Sequence, residues 1–381
     1  MKKLLLLLII PFLSFGQGWE YTFGGSDNER GRSVKETQDG GIIICGYTGY
    51  VGGWSENANN DMYLIKTNNI GVEEWSQIYG GEGDERAYSV QQTIDGGYVV
   101  FGIIKAEENG DTDFYLIKVD GNGAEEWSKT YGGEGNDWGY SIEQTTDNGY
   151  IMFGYLSGGG LYLIKTDDMG NEQWSEAYGY YNGDDGEVQQ TTDGGYILCG
   201  LSYWYQDLQF DSYDALLVKT DSDGNEEWSR VFGDYNFTGG CYDEAYSVRQ
   251  TIDGGYIVCG MTNSFGNGGQ DVYLIKTDSN GEEEWFQTYG GSGYDVGYSV
   301  EQKADGGYVI CGVKTDNGNE ELYLIITDID GNVCVEFDVR PPLSNKTLFH
   351  KVDLLGKKTT NKGLQLHIYD DGSVEKKYLI K

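Results

Sequence analysis

Histidine and proline are nearly missing from this chain, which has two His and three Pro in 381 residues. The two histidines, His350 and His367, both fall near the C-terminus. The long region before them therefore cannot build a Ser-His-Asp or Cys-His catalytic site, or a zinc site with His ligands. An enzyme in that region would have to use carboxylates, Tyr, Lys or a bound metal.

Basic residues are scarce, because Lys and Arg total 26 against 62 Asp and Glu, for a net charge of −36. A surface this acidic repels phosphate backbones, so the composition argues against nucleic acid as a partner and favours cations such as Ca²⁺. Residues 341–381 are an exception, since they hold eight Lys against four acids. This change of charge predicts a domain boundary near residue 340.

Long apolar runs are absent except at the N-terminus. Lys2 and Lys3 precede an apolar run at 4–13, and Ser14 and Gly16 suit cleavage before Gln17. This pattern predicts a cleavable signal peptide over residues 1–16 and is too short for a transmembrane helix. We expect no transmembrane segment after cleavage, and a protein that is secreted or held at the outer cell surface.

Glycine (60) and tyrosine (32) are abundant instead, and this composition favours short strands joined by tight turns. A turn that reads Asp-Gly-Gly or Asp-Asn-Gly recurs six times at about 53 residues, close to the length of a four-stranded propeller blade. Its aspartates are Asp39, Asp95, Asp147, Asp193, Asp253 and Asp305.

Each unit carries four short segments that read as strands, and the second and third are apolar at consecutive positions, as strands buried on both faces require. A further segment of the fourth-strand type, residues 19–23 with Trp19, precedes the first unit. The sequence therefore predicts an all-β fold, a six-bladed β-propeller of four-stranded antiparallel blades over residues 17–337. The N-terminal strand would complete the last blade and close the ring.

Four of the six cysteines occupy one position of the second strand in different units, where Phe101 and Phe153 stand in two others. A position that accepts Cys or Phe is an apolar core position, so free buried thiols are expected there rather than disulfides. These residues are Cys45, Cys199, Cys259 and Cys311.

The repeat is similar to a known one. Residues 271–278, 281–285 and 289–300 read DVYLIKTD, GEEEW and YGGSGYDVGYSV, and lead into the turn at Asp305. They resemble the bacterial secreted β-propeller repeat. The resemblance covers residues 19–337 and implies the fold without naming an activity.

The tail carries a second resemblance. Residues 352–359 and 368–378 read VDLLGKKT and IYDDGSVEKKY, and are similar to the type IX secretion C-terminal sorting domain of Bacteroidetes. The resemblance implies a sorting tail at 345–381 that the type IX secretion machinery recognises, after a linker at 338–344 that contains Pro341 and Pro342.

Acids recur in the loops of one face. A carboxylate lies two positions before a small residue ahead of each unit, at Glu29, Glu85, Asp137, Asp184, Asp243 and Asp295. An acid also opens the third strand of five units, at Asp61, Asp113, Asp214, Asp271 and Glu321. Both sets are expected around the mouth of the central channel. There they would hold a cation such as Ca²⁺, form a paired-carboxylate glycosidase site, or bond only to the backbone of their own loops, which is the commoner role of repeated acids.

Aromatic residues outside the repeat fall on the same face, at Trp54, Trp138 and the cluster Tyr203, Trp204 and Tyr205. Such rings among acids suit stacking on sugars, although they would also serve to cap the blades. We therefore expect a non-catalytic binding propeller for a glycan or protein. Two alternatives stay open, a carboxylate-based glycoside hydrolase or lyase and a structural or adhesive surface module. The enzyme alternative predicts one or two channel acids that break the six-fold equivalence and have raised pKa values.

Overall fold

The computed structural model describes residues 22–25, 28–49, 60–81, 83–105, 110–178, 186–204, 212–234, 241–316, 319–333, 348–352, 363–369 and 374–379. For residues 203, 204, 212 and 316, and for those after 333, only the backbone is described. The chain forms two compact units, Met1–Asn332 and Val333–Lys381.

The first unit consists of six antiparallel sheets, each made of strands that follow one another in the chain. Blade 1 has β1 (Asn28–Glu36), β2 (Ile42–Gly49), β3 (Asn60–Thr67) and β4 (Glu73–Tyr79). Blade 2 has β5 (Glu85–Gln92), β6 (Tyr98–Lys105), β7 (Thr112–Val119) and β8 (Glu125–Tyr131). Blade 3 has β9 (Trp138–Gln144), β10 (Tyr150–Leu156), β11 (Gly160–Thr166) and β12 (Glu172–Tyr178).

Blade 4 has β13 (Glu187–Gln190), β14 (Tyr196–Trp204), β15 (Ser212–Thr220) and β16 (Glu226–Phe232). Blade 5 has β17 (Asp243–Gln250), β18 (Tyr256–Thr262), β19 (Asp271–Thr277) and β20 (Glu283–Tyr289). Blade 6 has three described strands, β21 (Asp295–Gln302), β22 (Tyr308–Asp316) and β23 (Asn319–Ile326). The fold is a six-bladed β-propeller, and this prediction is confirmed.

The first strands lie innermost, because they contact one another from blade to blade along β1, β5, β9, β13, β17 and β21. In a blade that lies between two others the second and third strands are buried on both faces, and every residue of β18 and β19 in blade 5 is buried. This burial explains why those segments are apolar at consecutive positions, since both faces of such a blade are covered by neighbours.

A tryptophan–glycine contact joins each fourth strand to the next blade. The glycine of the turn between third and fourth strands has a positive φ, as in Gly281 at +76°. A Cβ on Gly281 would lie 2.4 Å from the ring of Trp228 in the preceding blade, and Gly123 stands in the same way 2.8 Å from Trp75. The ring fills the space that any side chain would need, so the repeated Trp and Gly form one packing unit.

A buried lysine of the third strand forms an ion pair with the aspartate of the Asp-Gly-Gly turn, which joins the first and second strands of the same blade. Lys276 is 4% exposed and bonds Asp253 at 3.0 Å and Glu284 at 2.9 Å. Its ammonium also donates to the carbonyl of Thr277 at 2.8 Å. Lysines in blades 1 to 4 make the corresponding ion pair with their turn aspartates, at Lys66, Lys118, Lys165 and Lys219.

Blade 6 differs from the others on the face that points away from blade 5. Leu322 is 81% exposed and Leu324 is 56% exposed, whereas their equivalents Val272 and Leu274 in blade 5 are fully buried. Cys311 on the same sheet is exposed, so the prediction that it would be a buried thiol is wrong. Cys45, Cys199 and Cys259 are free and buried, as predicted.

The strand predicted to complete blade 6 falls at residues 19–23, of which 19–21 lie outside the described residues. Of the residues that follow, 24 and 25 and the start of β1 are described. Glu29 accepts a hydrogen bond from the N–H of Gly25 at 2.9 Å, as Asp295 does from Gly291 at 2.7 Å in the loop between blades 5 and 6. The chain therefore enters β1 as it enters the first strand of another blade.

The second unit contains an antiparallel three-stranded sheet of β24 (Leu348–Val352), β25 (Gly363–Tyr369) and β26 (Val374–Leu379). In the part of the chain that the structure describes, no helix is long and apolar enough to cross a membrane.

Candidate functional site

A β-bulge in the first strand places one residue of most blades at the channel axis. The register of the first strand against the second skips one residue between Ala87 and Ser89 and between Ala245 and Ser247. The skipped residues are unpaired in the ladder and bend the strand. They are Arg32, Tyr88, Tyr140, Tyr246 and Tyr298 in blades 1, 2, 3, 5 and 6.

The bulged tyrosines form two pairs. Tyr88 and Tyr140 meet edge to face with centroids 6.0 Å apart, and Tyr246 and Tyr298 lie 5.5 Å apart. In a ring of six, blades 2 and 3 stand opposite blades 5 and 6, so the two pairs form facing walls. We call the space between them the axial slot. Tyr298 is 50% exposed, which shows that the slot is open to solvent.

Arg32 marks the end of the slot at blade 1. Its guanidinium lies 5.1 Å from the ring centroid of Tyr88 and 5.7 Å from that of Tyr47. It also donates a long hydrogen bond of 3.4 Å to the Tyr47 hydroxyl. These contacts hold an exposed cation against aromatic faces, where cation–π attraction stabilises it.

Blade 4, at the opposite end of the slot, departs from the repeat in two ways. Its first strand pairs with β14 without a register shift, so it has no bulged residue. Glu187 pairs with Cys199 where the other blades place a serine, such as Ser247 opposite Cys259. Because blade 4 has no bulged residue, the circle of bulged side chains around the axis is interrupted there. The Glu187 carboxylate occupies this gap.

Glu187 belongs to a charged group that we call the axial cluster, formed by Glu143, Glu187, Arg249 and Glu301. The guanidinium of Arg249 bonds Glu187 at 2.6 Å and Glu301 at 3.0 Å, and Ser247 donates to Glu187 at 2.8 Å. Burial lowers the pKa of Arg249, but the two carboxylates outweigh it and raise that pKa above its ordinary value.

Glu143 of blade 3 is the acid of the cluster with the most perturbed protonation. Burial raises the pKa of Glu143 to about 7, and the charge of Glu187 adds to the rise. The N–H of Gln190, which donates to Glu143 at 2.5 Å, and the charges of Arg249 and Lys35 act in the opposite sense. The site therefore holds one carboxyl group that changes charge near neutral pH and one, Glu187, in direct ion pairing with arginine.

The position of Glu143 also has a structural role in other blades. Gln91 and Gln189 occupy it in blades 2 and 4, and each accepts a hydrogen bond from the backbone of the next blade, at 2.5 Å and 2.7 Å. The bond between Glu143 and Gln190 repeats this link between blades, so neutral amides perform the same structural function.

The loop acids predicted at the channel mouth lie within their own loops. Asp137 and Asp295 are fully buried. Asp137 accepts hydrogen bonds from the N–H groups of Gly133 at 2.9 Å and Ser157 at 2.8 Å, and Asp295 accepts the corresponding two. These bonds match the backbone-bonding role that the sequence left open. A role of these acids in ligand binding stays a prediction.

Three further loop acids follow the same plan. Glu29 and Glu85 accept from the glycine N–H four positions earlier, and Asp243 is fully buried and accepts from the hydroxyl groups of Thr262 and Ser264. Asp184 lies outside the described residues.

The predicted aromatic cluster is only partly described. Trp138 begins β9 and is half-buried, where it pairs with Tyr155 across the sheet. Tyr203 and Trp204 end β14, and only their backbone is described. Trp54 and Tyr205 lie outside the described residues. A binding role for these five residues stays a prediction.

The residues of the axial slot were not found from the sequence. Each of these tyrosines precedes the serine of the first-strand motif, and in the sequence their recurrence indicates only a strand. They are Tyr88, Tyr140, Tyr246 and Tyr298. The signal that could have found the site is the fourth unit, which is one residue shorter there and has Glu187 in place of serine.

Comparisons with known proteins add the fold and nothing on activity. No protein-family model matches the chain, and no curated protein matches it. The solved structures of NanB sialidase from Streptococcus pneumoniae are similar to this chain. The structure of its K499G mutant has a TM-score of 0.54 at 11% identity, and the alignment covers 81% of this chain and 70% of the sialidase chain. Its complex with 2-[(3-chlorobenzyl)ammonio]ethanesulfonate has a TM-score of 0.54 at 11% identity, covering 82% and 71%. This likeness shows the propeller fold alone.

A protein of unknown function from Dyadobacter fermentans has a TM-score of 0.48 at 12% identity, with 79% of this chain and 95% of its own covered.

Proposed function

We propose that the protein is a non-catalytic binding propeller that holds an extracellular glycan chain in the axial slot. The observation that carries the proposal is the pairing of two tyrosine walls with a cation at one end and a carboxylate at the other. Tyrosine faces stack on sugar rings, and the charged ends accept or donate hydrogen bonds to hydroxyl groups. A slot of this kind suits an elongated polar ligand better than a compact apolar one.

The test is a glycan-array screen of the mature protein, followed by titration of any glycan that binds. Tyr88→Ala and Tyr246→Ala each remove one of the two rings of a wall and are expected to weaken binding at least tenfold. Ile252→Ala, at an exposed turn on the opposite face, is the matched control and is expected to change nothing. Silence across the array, or equal binding by the wall and control variants, would sink the glycan proposal. If a protein partner binds and both wall variants weaken that binding, the ligand of the axial slot is a protein and not a glycan.

A second candidate function is a carboxylate-based glycoside hydrolase or lyase, and one observation favours it. Glu143 has a pKa near 7 and Glu187 breaks the equivalence of the blades, which are the two features expected of an acid and a second carboxylate in one site. The same glycans, incubated with the protein and analysed for shortened products, test this candidate. Products that disappear in both Glu143→Gln and Glu187→Gln would replace the binding function with catalysis.

We also propose that the protein reaches the cell exterior through the signal peptide at 1–16 and the tail at 345–381. The resemblance of the tail to a type IX sorting domain supports this. Expression in a bacterium with the type IX system is expected to place the full chain outside the cell. A chain that ends at residue 344 is expected to stay in the periplasm, and equal export of both chains would exclude a sorting role for the tail.

A further inference from the structure

Carboxylates from adjacent blades meet in pairs at four of the blade junctions. In each case the acid that opens a third strand and the loop acid of the next blade flank the same glycine. A Cβ on Gly233 would lie 2.1 Å from Oδ1 of Asp214 and 2.8 Å from Oδ2 of Asp243, and Gly290 is flanked in the same way. The pairs are Asp61 with Glu85, Asp113 with Asp137, Asp214 with Asp243, and Asp271 with Asp295.

The pair between blades 4 and 5 is buried, and one of its carboxylate oxygens has no hydrogen-bond partner. Asp214 is 2% exposed and Asp243 is 0% exposed. Asp214 Oδ1 has no hydrogen-bond partner. Ser202 lies directly across the sheet from Asp214, and its buried hydroxyl group also has none. Asp214 therefore has the Asp243 carboxylate beside it at Gly233 and the Ser202 residue across the sheet, and two of these side-chain oxygens are unpartnered.

Two buried carboxylates this close repel each other, and an unpartnered buried carboxylate oxygen carries the full cost of lost hydration. Burial, together with the negative charges of Asp243 and Asp234, raises the pKa of Asp214 to about 6. A cation between the two groups removes both penalties. Oxygen ligands of this kind, in a protein with a net charge of −36, suit a hard divalent ion.

We propose that Asp214 and Asp243 bind one Ca²⁺ ion at the junction of blades 4 and 5, with the Ser202 hydroxyl as a further ligand. Among the described residues no group of three or more His, Cys, Asp and Glu side chains is placed to hold a metal. The remaining positions therefore go to backbone carbonyls and water, as they do in many Ca²⁺ sites. With only two carboxylates, the affinity is expected in the range of extracellular modules, about 10⁻⁴–10⁻³ M.

The equivalent pair in blades 5 and 6 provides the comparison. Asp271 is as buried as Asp214, but its Oδ2 accepts a hydrogen bond from the N–H of Asn267 at 2.7 Å. The Asn267 N–H therefore stabilises the Asp271 carboxylate without a cation. The Ca²⁺ site is assigned to the junction of blades 4 and 5, where Asp214 Oδ1 has no such donor.

The experiment measures thermal unfolding of the chelator-treated mature protein against added Ca²⁺, together with terbium luminescence as a direct report of binding. The wild-type protein is expected to show a saturable rise in Tm. Asp214→Asn is expected to lose this rise and the terbium signal, yet to be more stable than the wild type in chelator, because the amide removes the repulsion. Ser202→Ala is expected to weaken the apparent affinity for Ca²⁺ without abolishing it.

Asp271→Asn is the matched control and is expected to keep the Ca²⁺ response of the wild type. The proposal would be overturned if added Ca²⁺ did not change the Tm of the wild-type protein and added terbium gave no luminescence signal. An unchanged Ca²⁺ response in Asp214→Asn would overturn it as well, because the ion would then bind elsewhere.

Discussion

Replacing Glu143 by glutamine should stabilise the propeller in alkaline solution and have little effect in acid. Glutamine is the residue of blades 2 and 4 at this position and accepts the same hydrogen bond from the next blade. The substitution therefore keeps the link between blades and removes only the charge. What changes is the cost of ionising a buried carboxyl group.

The magnitude follows from the pKa of Glu143, which rises from an ordinary value of 4.5 to about 7. The folded state holds its proton more tightly than the unfolded state, so the wild type loses stability as the pH rises from 4.5 to 7. At about 1.4 kcal/mol per pH unit the full loss is about 3 kcal/mol above pH 7. Below pH 4.5 both states are protonated and the loss is absent.

Urea unfolding of the wild type and Glu143→Gln at several pH values measures this difference. The variant is expected to unfold at higher urea above pH 7, by about 1–3 kcal/mol, and the two curves should meet near pH 4.5. A variant that is destabilised above pH 7 would show that the ionised carboxylate is needed by Arg249. A difference that does not vary with pH would refute the reasoning about burial.

Three further predictions concern the packing of the blades. Lys276→Met should cost less than Asp253→Ala, because the first removes a buried charge and the second leaves that charge with Glu284 as its one carboxylate partner; a double-mutant cycle by urea unfolding measures both, and equal costs would contradict the account. Gly281→Ala should be less stable than Gly254→Ala, since both glycines have positive φ but only Gly281 abuts a Trp ring; equal unfolding midpoints would show that the ring yields. Removal of residues 17–23 should lower Tm and raise proteolysis of blade 6, and an unchanged Tm would argue against ring closure by that segment.

The fold was accessible from sequence because each blade repeats the same physical requirements. The Asp-Gly-Gly turn needs glycine where the chain reverses, and the second and third strands need apolar residues on both faces. Trp75 and its equivalents recur because each packs on the turn glycine of the next blade. These requirements act within a blade or between neighbours, so they leave a periodic pattern that a single sequence displays.

The axial slot was not accessible in the same way, because it depends on register. A bulge moves Tyr88 out of the ladder and toward the axis, yet in the sequence it is one more aromatic residue in a strand. Whether a strand contains a bulge is decided by its pairing with the neighbouring strand. The sequence therefore shows the tyrosines of the site but not the β-bulges that bring them together at the axis.

The loop acids show the opposite limitation. Asp137 and Asp295 stand out in the sequence because they recur, but their recurrence follows from the shared need to bond the backbone of each loop. The residues that could give the protein an individual function are those that interrupt the pattern, Glu187, Arg249 and Glu143. They fall in the first strands of blades 4, 5 and 3, where a carboxylate or an arginine replaces a residue that packing alone would accept.

This contrast bears on how any ligand would be recognised. A ring of identical blades presents the same surface six times and cannot fix the direction of a bound chain. Arg32 at blade 1 and Glu187 at blade 4 make the two ends of the slot different, so a glycan chain would have one preferred direction along it. Exchange of the two charges in Arg32→Glu combined with Glu187→Arg should then reverse the preference for reducing-end over non-reducing-end fragments, and loss of all binding in both single variants with no recovery in the double would show that the charges serve the fold instead.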